Sequence, residues 1–281
     1  MSYEDVFKDD LEFLDRALHE FLPSAEIYPQ TLHQAMRYAV LGGGKRFRPV
    51  MVLAACETLG GTRQQAVFPA VALEFIHCYS LVQDDLPALD NDDLRRGQPT
   101  CHRKYGEATA LLASDGLLTL AFEVLAEVKP AEMAVRLVRE ISTASGTCGM
   151  IGGQAADIEA ATRTPDIAML DFINIHKTGK LIKASAVSGG LAAGASRDAL
   201  TRLNRYGEAL GLAFQFVDDL VDGDGYLKLL KASEIRQKVR DLIAVAKREI
   251  KIFGRRGQKL QALADDLLKR IPRGKHVAMD R

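Results

Sequence analysis

The sequence predicts an all-α protein built as a bundle of about ten helices. Apolar residues recur at spacings of three and four along almost the whole chain, which is the period of a helix that buries one face. Runs in which β-branched and polar residues alternate, the pattern of a half-buried strand, are almost absent. Both observations exclude a sheet-based fold.

Turn-forming residues mark where each predicted helix ends. Proline removes a backbone donor and glycine adopts conformations that a helix does not use, so both interrupt the pattern. In chain order, the breaks fall between Leu22 and Pro23, at 41–49 (LGGGKRFRP), at 59–63 (LGGTR), in an aspartate-rich stretch from residue 84, between Lys129 and Pro130, at 163–166 (RTPD), at 192–198 (AAGASRD) and at 222–225 (DGDG). No change of composition separates two halves, which predicts a single domain over residues 1–281.

Two segments are rich in small residues, 142–157 and 184–196. Small side chains allow helix backbones to approach closely. We therefore expect these segments to line the centre of the bundle or a cavity within it.

The overall composition excludes several classes of function. With 37 basic and 37 acidic side chains, the chain has no net field to attract nucleic acid or an anionic membrane. The four cysteines form no C-x-x-C pair, and the N-terminal stretch is acidic rather than a targeting peptide, which favours free thiols and a cytoplasmic location. No apolar run of about 18 uncharged residues is present, so no membrane span is expected.

The stretch 77–97 concentrates negative charge at the end of an apolar helix. Asp84 and Asp85 close that helix, and Asp90 follows. Carboxylates at a helix C-terminus oppose the helix dipole and repel one another, so a compensating cation is expected. Acidic pairs more often lie on solvated surfaces, but this one interrupts a strongly apolar helix.

A second acidic cluster occurs in GLAFQFVDDLVD, on another apolar helix. Asp218 and Asp222 are four residues apart and share a helix face, with Phe214 and Gln215 one turn earlier. Two such clusters predict a metal site with ligands from both helices. Oxygen-only ligands favour a hard cation such as Mg²⁺, which commonly bridges carboxylates to phosphate groups. A phosphate or diphosphate is the expected partner.

Basic residues near turns supply the opposite charge. Each basic pair by itself is more often part of the surface, and the glycine-rich turn does not match a P-loop. Together with two acidic clusters, they fit clamps for two diphosphates, one held through metal and one held directly. The candidate residues are Gly44, Lys45 and Arg48, then Arg95 and Arg96, then Lys177 and Thr178.

The motifs in this order resemble those of the trans-type short-chain isoprenyl diphosphate synthases, in the pattern of their bacterial farnesyl members. The matching segments are GGGKRFRP, EFIHCYSLVQDDLPALDNDDLRRGQPTCHRKYGE, GMIGGQAADIE, HKTGKLI and GLAFQFVDDLVD. The resemblance implies a helical bundle around a deep apolar cavity. It also implies a homodimer that condenses an allylic diphosphate, dimethylallyl or geranyl, with isopentenyl diphosphate.

The resemblance also implies roles for the candidate residues. Asp84, Asp90 and Asp218 would hold Mg²⁺ on the allylic diphosphate, with Asp85 and Asp222 in support. The isopentenyl diphosphate would be bound by Lys45, Arg48, His77 and Arg96, beside Gly44. The allylic substrate would face Arg95, Lys177 and Gln215, with Lys177 and Thr178 near the developing carbocation. Lys177, Thr178 and Gln215 would be the catalytic residues, and Phe214 a further substrate-binding residue. His77 could instead be an ordinary core histidine, and His102 is interpreted as structural.

Product length is predicted from the helix that ends at Asp84. Tyr79 lies five residues earlier, about 7.5 Å along the helix axis, and Phe75 lies one turn further. An aromatic residue at this position, with the Pro87-Ala88 insertion in the motif, resembles the farnesyl pattern. A fifteen-carbon product is therefore expected, and a longer geranylgeranyl product is the alternative. Tyr79 and Phe75 could also be simple core aromatics.

The chain departs from the family after the second acidic motif. Relatives carry a flexible lysine-bearing lid there, whereas this sequence passes from DGDG directly into YLKLLKASE. Either the protein lacks the lid or a mobile loop has been left out of the sequence, and the mobility of active-site lids favours the second. A missing lid keeps open a non-catalytic regulatory subunit. A terpene cyclase is disfavoured because its second motif usually differs from D-D-x-x-D.

Overall fold

The all-α prediction is confirmed by the computed structural model, which describes residues 2–164 and 166–272. Every predicted break separates two helices. The helices are α1 Tyr3–Phe21, α2 Gln30–Leu41, α3 Phe47–Thr58, α4 Arg63–Asp84, α5 Cys101–Tyr105, α6 Glu107–Ala126, α7 Ala131–Ser145, α8 Met150–Ala160, α9 Ile167–Asn174, α10 Lys180–Ala192, α11 Arg197–Asp222, α12 Ala232–Ile250 and α13 Gln258–Arg270.

Local capping explains where several helices begin and end. At α4, the Thr62 side chain accepts from the Gln65 backbone N–H, and the Gln65 side chain accepts from the Thr62 N–H, which forms a capping box. Ser196 accepts from the Ala199 N–H at the start of α11. Gly223 ends α11 with a φ of 76°, the left-handed conformation that glycine adopts without strain.

Helix α4 lies at the centre of the core. It packs against α3, α6 and α10, and its residues from Ala70 to Ile76 are fully or almost fully buried. The core is one contiguous cluster that runs from Tyr3 in α1 to Leu267 in α13. Gly189 in α10 permits close packing on α3, because a Cβ at this position would lie 2.3 Å from the Val52 carbonyl oxygen. The expectation that the segment 184–196 lies at the bundle centre is met for residues 184–191, which are buried, whereas residues 192–196, at the end of α10 and in the turn before α11, are more exposed. The other small-residue segment, 142–157, is buried only in part.

Two of the described helices are long and apolar enough to cross a membrane by length and composition alone. In α4, 67% of the most apolar window is buried inside the protein, as befits its central place in the core. In α6 the buried share is 39%, and Leu111 and Leu112 are 46% and 59% exposed. Helix α6 therefore presents an apolar surface.

Two irregular elements were not predicted from the sequence. A short antiparallel hairpin pairs β1 Leu94–Arg95 with β2 Gln98–Pro99. Its two-residue turn, Arg96 and Gly97, has φ values of 56° and 76°, as a type I′ turn requires. A π-helical turn, Ile175–Gly179, joins α9 to α10. Both elements carry candidate site residues.

The connection after α11 is short. Following Gly223, a 3₁₀ turn at Gly225–Lys228 leads to α12. The Tyr226 N–H donates to Asp219 Oδ2 at 2.8 Å, and the Tyr226 ring packs on Phe216 with centroids 4.3 Å apart. These contacts attach the connection to the last turns of α11.

Candidate active site

A cavity of about 950 Å³ collects most of the predicted site residues. It is bounded by the loop before α3, by α4, by α8 and by the C-terminal half of α11. The predicted residues on its wall are Gly44, Lys45, Arg48, His77, Tyr79, Asp84, Arg95, Arg96, Lys177, Thr178, Phe214, Gln215 and Asp218. Residues from distant parts of the sequence thus share one site.

The first acidic cluster lies at the C-terminal end of α4. The pKa of Asp84 is raised to about 6, mainly by burial and also by the neighbouring Asp90 and Asp85, while Lys177 and Arg95 oppose the shift. Asp90 is more exposed, and its backbone N–H donates to the Asp84 carbonyl at 2.9 Å. Burial also raises the pKa of Asp90. The negative charge here is only partly compensated by the protein.

The second cluster lies at the end of α11. Burial raises the pKa of Asp218 to about 7, with a further contribution from Asp222, while Arg270 and Arg48 oppose the shift. Asp222 is exposed beyond the cavity wall, on the same helix face. Asp219, between them, accepts the backbone hydrogen bond from Tyr226. Asp218 is therefore the member of this cluster that faces the cavity.

The two clusters suit a hard cation without forming a complete site. Among residues 2–164 and 166–272, no three His, Cys, Asp or Glu side chains already form a metal-binding group. The available donors are carboxylate oxygens, which suit Mg²⁺. The pKa values of Asp84 and Asp218 are raised, so ionising either carboxyl group in the folded protein is unfavourable. A bound divalent cation would stabilise the ionised forms. Water or a bound anion would supply the remaining ligands.

Asp85 has a different environment from Asp84. Its carboxylate lies beneath the β-hairpin and is 3% exposed. Arg95 Nε donates to both Asp85 oxygens, at 2.8 Å and 2.9 Å, and Arg95 Nη2 donates to Oδ1 at 2.5 Å. The structure thus places this predicted supporting metal ligand in an ion pair.

The hairpin sends its two arginines to different parts of the cavity. Arg95 lies near Asp84 and pairs with Asp85. Arg96 turns towards the glycine-rich loop, where its guanidinium donates to the Gly43 carbonyl. A Cβ on Gly44 would lie 2.7 Å from the Arg96 guanidinium carbon, so only glycine allows this approach. The hairpin thus supplies one arginine to each side of the site.

The glycine-rich loop and α4 form the cationic side. His77 faces the cavity rather than the core. Burial holds the pKa of His77 well below its usual value, and Arg48 and Arg96 lower it further, so the imidazole is neutral at pH 7. Arg48 Nε is buried and has no hydrogen-bond partner among the residues that the structure describes. Such a group is ready to bind an anion.

The π-helical turn brings Lys177 and Thr178 onto the cavity wall. Lys177 Nζ donates to Asp157 Oδ2 of α8 at 2.7 Å. Gly153 of α8 allows the close contact between the two segments, because a Cβ there would lie 2.1 Å from the Lys177 backbone nitrogen. Turns of this kind often occur at functional sites.

The two candidate chain-length residues have different positions. Tyr79 lines the cavity and is 4% exposed. Phe75, one turn earlier on α4, is fully buried in the hydrophobic core. Of the two, Tyr79 is the one in direct contact with the cavity.

Several wall residues were not predicted. Glu74, on α4, pairs with Arg46 at 2.8 Å, and both side chains are nearly inaccessible. A lone acid in an apolar helix is a sequence signal that could have identified Glu74. Arg270 reaches the cavity from α13 and lies 5.8 Å from the ring centroids of Phe47 and Phe214. No local pattern marks Arg270, because its position depends on how α13 packs.

Comparison with known proteins gives a consistent family. Residues 29–231 match the Polyprenyl synthetase family. The chain is 40% identical over 297 residues to the farnesyl diphosphate synthase of Escherichia coli strain K12, covering 96% of this chain and 99% of that protein. It is 38% identical over 282 residues to the geranylgeranyl diphosphate synthase of Cyanophora paradoxa, covering 92% and 93%. The apo crystal structure of an FPP/GFPP synthase from Zymomonas mobilis has a TM-score of 0.89 at 37% identity, covering 93% and 97%.

Proposed function

The chain belongs to the polyprenyl synthetase family, and we propose that it condenses an allylic diphosphate, dimethylallyl or geranyl, head-to-tail with isopentenyl diphosphate. The supporting observation is that two acidic helix ends and a set of basic side chains meet at one cavity. Acids and cations at one cavity suit one diphosphate bound through metal and another bound directly. The relatives named for farnesyl and geranylgeranyl products support the same class of reaction.

The acidic side would bind the allylic diphosphate. Asp84 and Asp218 would hold Mg²⁺, with Asp90 and Asp222 at the mouth of the cavity, and bound Mg²⁺ would stabilise the diphosphate leaving group as a Lewis acid. Arg95, Lys177 and Gln215 would contact the same diphosphate. Lys177 and Thr178, on the π-helical turn, would lie beside the positive charge that develops on the allyl group. Apolar walls, including Phe214, would keep water from it.

The cationic side would bind isopentenyl diphosphate without metal. Lys45, Arg48 and Arg96 carry the positive charge, beside Gly44, where the backbone leaves room for an anion. His77, kept neutral by burial and by arginines, would donate a hydrogen bond from its imidazole N–H. The released diphosphate is a sufficient base for the final proton removal, so the site needs no separate catalytic triad.

Tyr79 supports a fifteen-carbon product. It lies on the cavity wall about 7.5 Å along α4 from Asp84, where a tail anchored at the acidic side would reach it. Phe75 lies four residues, about 6 Å, further along the same helix. A longer geranylgeranyl product would require the tail to pass Tyr79.

Product analysis of the purified protein tests these proposals. The protein is incubated with geranyl diphosphate, isopentenyl diphosphate and Mg²⁺, and the dephosphorylated products are separated by chromatography. Farnesol is expected from the wild type, whereas Tyr79→Ala should give geranylgeraniol or longer alcohols. Tyr79→Phe is the matched control, because it keeps the ring and should still give farnesol.

Other products would point elsewhere. Geranylgeraniol from the wild type would show that the floor of the cavity lies beyond Tyr79. A cyclic product would contradict the condensation itself, and no product at all would favour the regulatory subunit. A Tyr79→Ala variant that stops at farnesol with normal activity would refute the role of Tyr79.

We also propose one domain that assembles as a homodimer. The contiguous core supports the single domain. The exposed leucines of α6, Leu111 and Leu112, and Val135 of α7, which is 66% exposed, offer an apolar surface for a second copy. Light scattering should give twice the chain mass of 30.8 kDa, and Leu112→Glu should reduce it to the monomer.

A further inference from the structure

Asp85 and Arg95 form an ion pair behind the cavity wall. The Asp85 carboxylate is 3% exposed, and both of its oxygens accept from the Arg95 guanidinium at 2.5 to 2.9 Å. Arg95 itself lines the main cavity, and its side chain is 32% exposed. The pair thus links a buried carboxylate to a guanidinium that reaches the site.

This geometry fixes the direction of the guanidinium. A carboxylate that binds the Nε edge of an arginine in two places holds its planar group in one orientation. The remaining N–H groups of Arg95 then project from a defined place on the cavity wall. A long side chain that is already ordered loses less conformational freedom when a ligand binds.

The position of Arg95 indicates which ligand it serves. Its charge acts on Asp84, on the acidic side of the cavity. The adjacent Arg96 instead contacts Gly43 on the cationic side. The two adjacent arginines point to opposite sides of the cavity because a tight turn begins at Arg96, which has a φ of 56°.

We propose that Asp85 is a positioning residue for Arg95 and not a metal ligand. It holds the Arg95 guanidinium in place to donate hydrogen bonds to the allylic diphosphate. The inference rests on the proposed condensation and adds a role to the second aspartate of the first acidic motif. Asp85 directly follows Asp84 in the sequence, yet both of its carboxylate oxygens already accept hydrogen bonds from Arg95.

Three variants and one control separate positioning from metal binding. Asp85→Asn removes the charge at nearly constant volume, Arg95→Gln removes the cation, and the double variant removes both. Asp92→Asn is the matched control, because Asp92 is 54% exposed and lies 3.9 Å from Arg95. Binding of the unreactive analogue geranyl S-thiolodiphosphate is measured by calorimetry at fixed Mg²⁺. The Mg²⁺ concentration for half-maximal analogue binding is measured separately, together with kcat, KM for each substrate and the melting temperature.

Positioning predicts a specific set of results. Asp85→Asn should weaken analogue binding about 10- to 100-fold, the range for lost hydrogen bonds to a charged group. Arg95→Gln should weaken it similarly, and the double variant no further, since both changes remove one interaction. Because metal and diphosphate binding are coupled, the Mg²⁺ titration uses the analogue at the same multiple of each variant's own dissociation constant. Under that condition the half-saturating Mg²⁺ concentration should stay at the wild-type value, as should KM for isopentenyl diphosphate. Asp92→Asn should behave as wild type.

Other results would overturn the inference. A large rise in the half-saturating Mg²⁺ concentration for Asp85→Asn, but not for Arg95→Gln, would make Asp85 a metal ligand. Additive losses in the double variant would show that Asp85 does not act through Arg95. Wild-type binding in Asp85→Asn would also refute positioning while leaving the proposed function intact.

The proposed function itself can fail separately. A wild-type protein that does not bind the analogue would refute the condensation. The melting temperatures check that the pair exists in either case. Arg95→Gln leaves a buried carboxylate unpaired and should melt below wild type, and the double variant should recover part of the loss. Equal melting temperatures of Arg95→Gln and the double variant would contradict the presence of the ion pair.

Discussion

Asp218→Asn should stabilise the ligand-free protein at high pH and not at low pH. Burial and Asp222 raise the pKa of Asp218 from 3.8 to about 7. Because the folded state binds this proton more tightly than the unfolded state, the contribution of Asp218 to the free energy of unfolding falls as pH rises between about 4 and 7. Above pH 7 the carboxylate is ionised in both states and the loss is complete. Asparagine has no proton to lose, so the variant lacks this decline.

The size of the effect follows from the shift. Roughly three pKa units at about 1.36 kcal/mol each give an upper bound of about 4 kcal/mol. Asp218 is partly accessible, and solvent screening reduces the cost of ionising it, so about 2 kcal/mol is expected. For a chain of this size, that free energy corresponds to a melting-temperature change of about 4 °C.

Thermal denaturation of both proteins between pH 4.5 and 8, without Mg²⁺ or substrate, measures the difference. The melting temperature of the variant relative to wild type should increase by about 4 °C across this range. Asp93→Asn is the control for removing a carboxylate, because the Asp93 side chain is 70% exposed. A difference that is constant with pH, or a variant less stable than wild type at pH 8, would refute the electrostatic argument.

Two further predictions concern the groups that support the site. Glu74→Ala should cost about 3–5 kcal/mol in urea denaturation, because it removes the buried partner of the buried Arg46 and leaves only the exposed Asp15. Asp15→Ala, which removes the exposed partner of Arg46, should cost less than about 1 kcal/mol, and equal costs would contradict the importance of burial. Gly153→Ala should displace the π-helical turn by about 1 Å and so misplace Lys177. The rate constant of the chemical step, measured under single-turnover conditions, should fall about 100-fold. An unchanged rate would show that the turn adapts to the added methyl group.

The sequence predicts well what depends on local pattern. Helical periodicity gave the all-α class, and glycine and proline marked the breaks that the structure confirms. Asp84 and Asp218 could be found because carboxylates that end apolar helices are conspicuous. Gly189 and its neighbours indicated close packing because small residues have few other uses in a buried helix.

Features that depend on tertiary contacts could not be predicted in this way. The pairing of Asp85 with Arg95 requires the hairpin, and two strands of two residues leave no alternating pattern to detect. The π-helical turn differs from an ordinary helix by one added residue, which the spacing of apolar residues does not reveal. Arg270 lies far along the sequence from the other wall residues, and only the packing of α13 brings it to the cavity.

The distribution of ion pairs explains why the site is suited to charged substrates. Arg46 pairs with the buried Glu74, and Arg95 pairs with the buried Asp85. Both guanidinium groups are therefore ordered before any ligand binds. Within the described part of the chain, Asp84 and Asp218 have no such direct partner, and the pKa of each is raised mainly by burial. Buried acids without partners favour binding of a cation, and a cation held there attracts an anion in turn. Under the proposed function, the protein orders these arginines in advance and leaves the acids to be neutralised on binding, which would make metal and diphosphate binding mutually dependent.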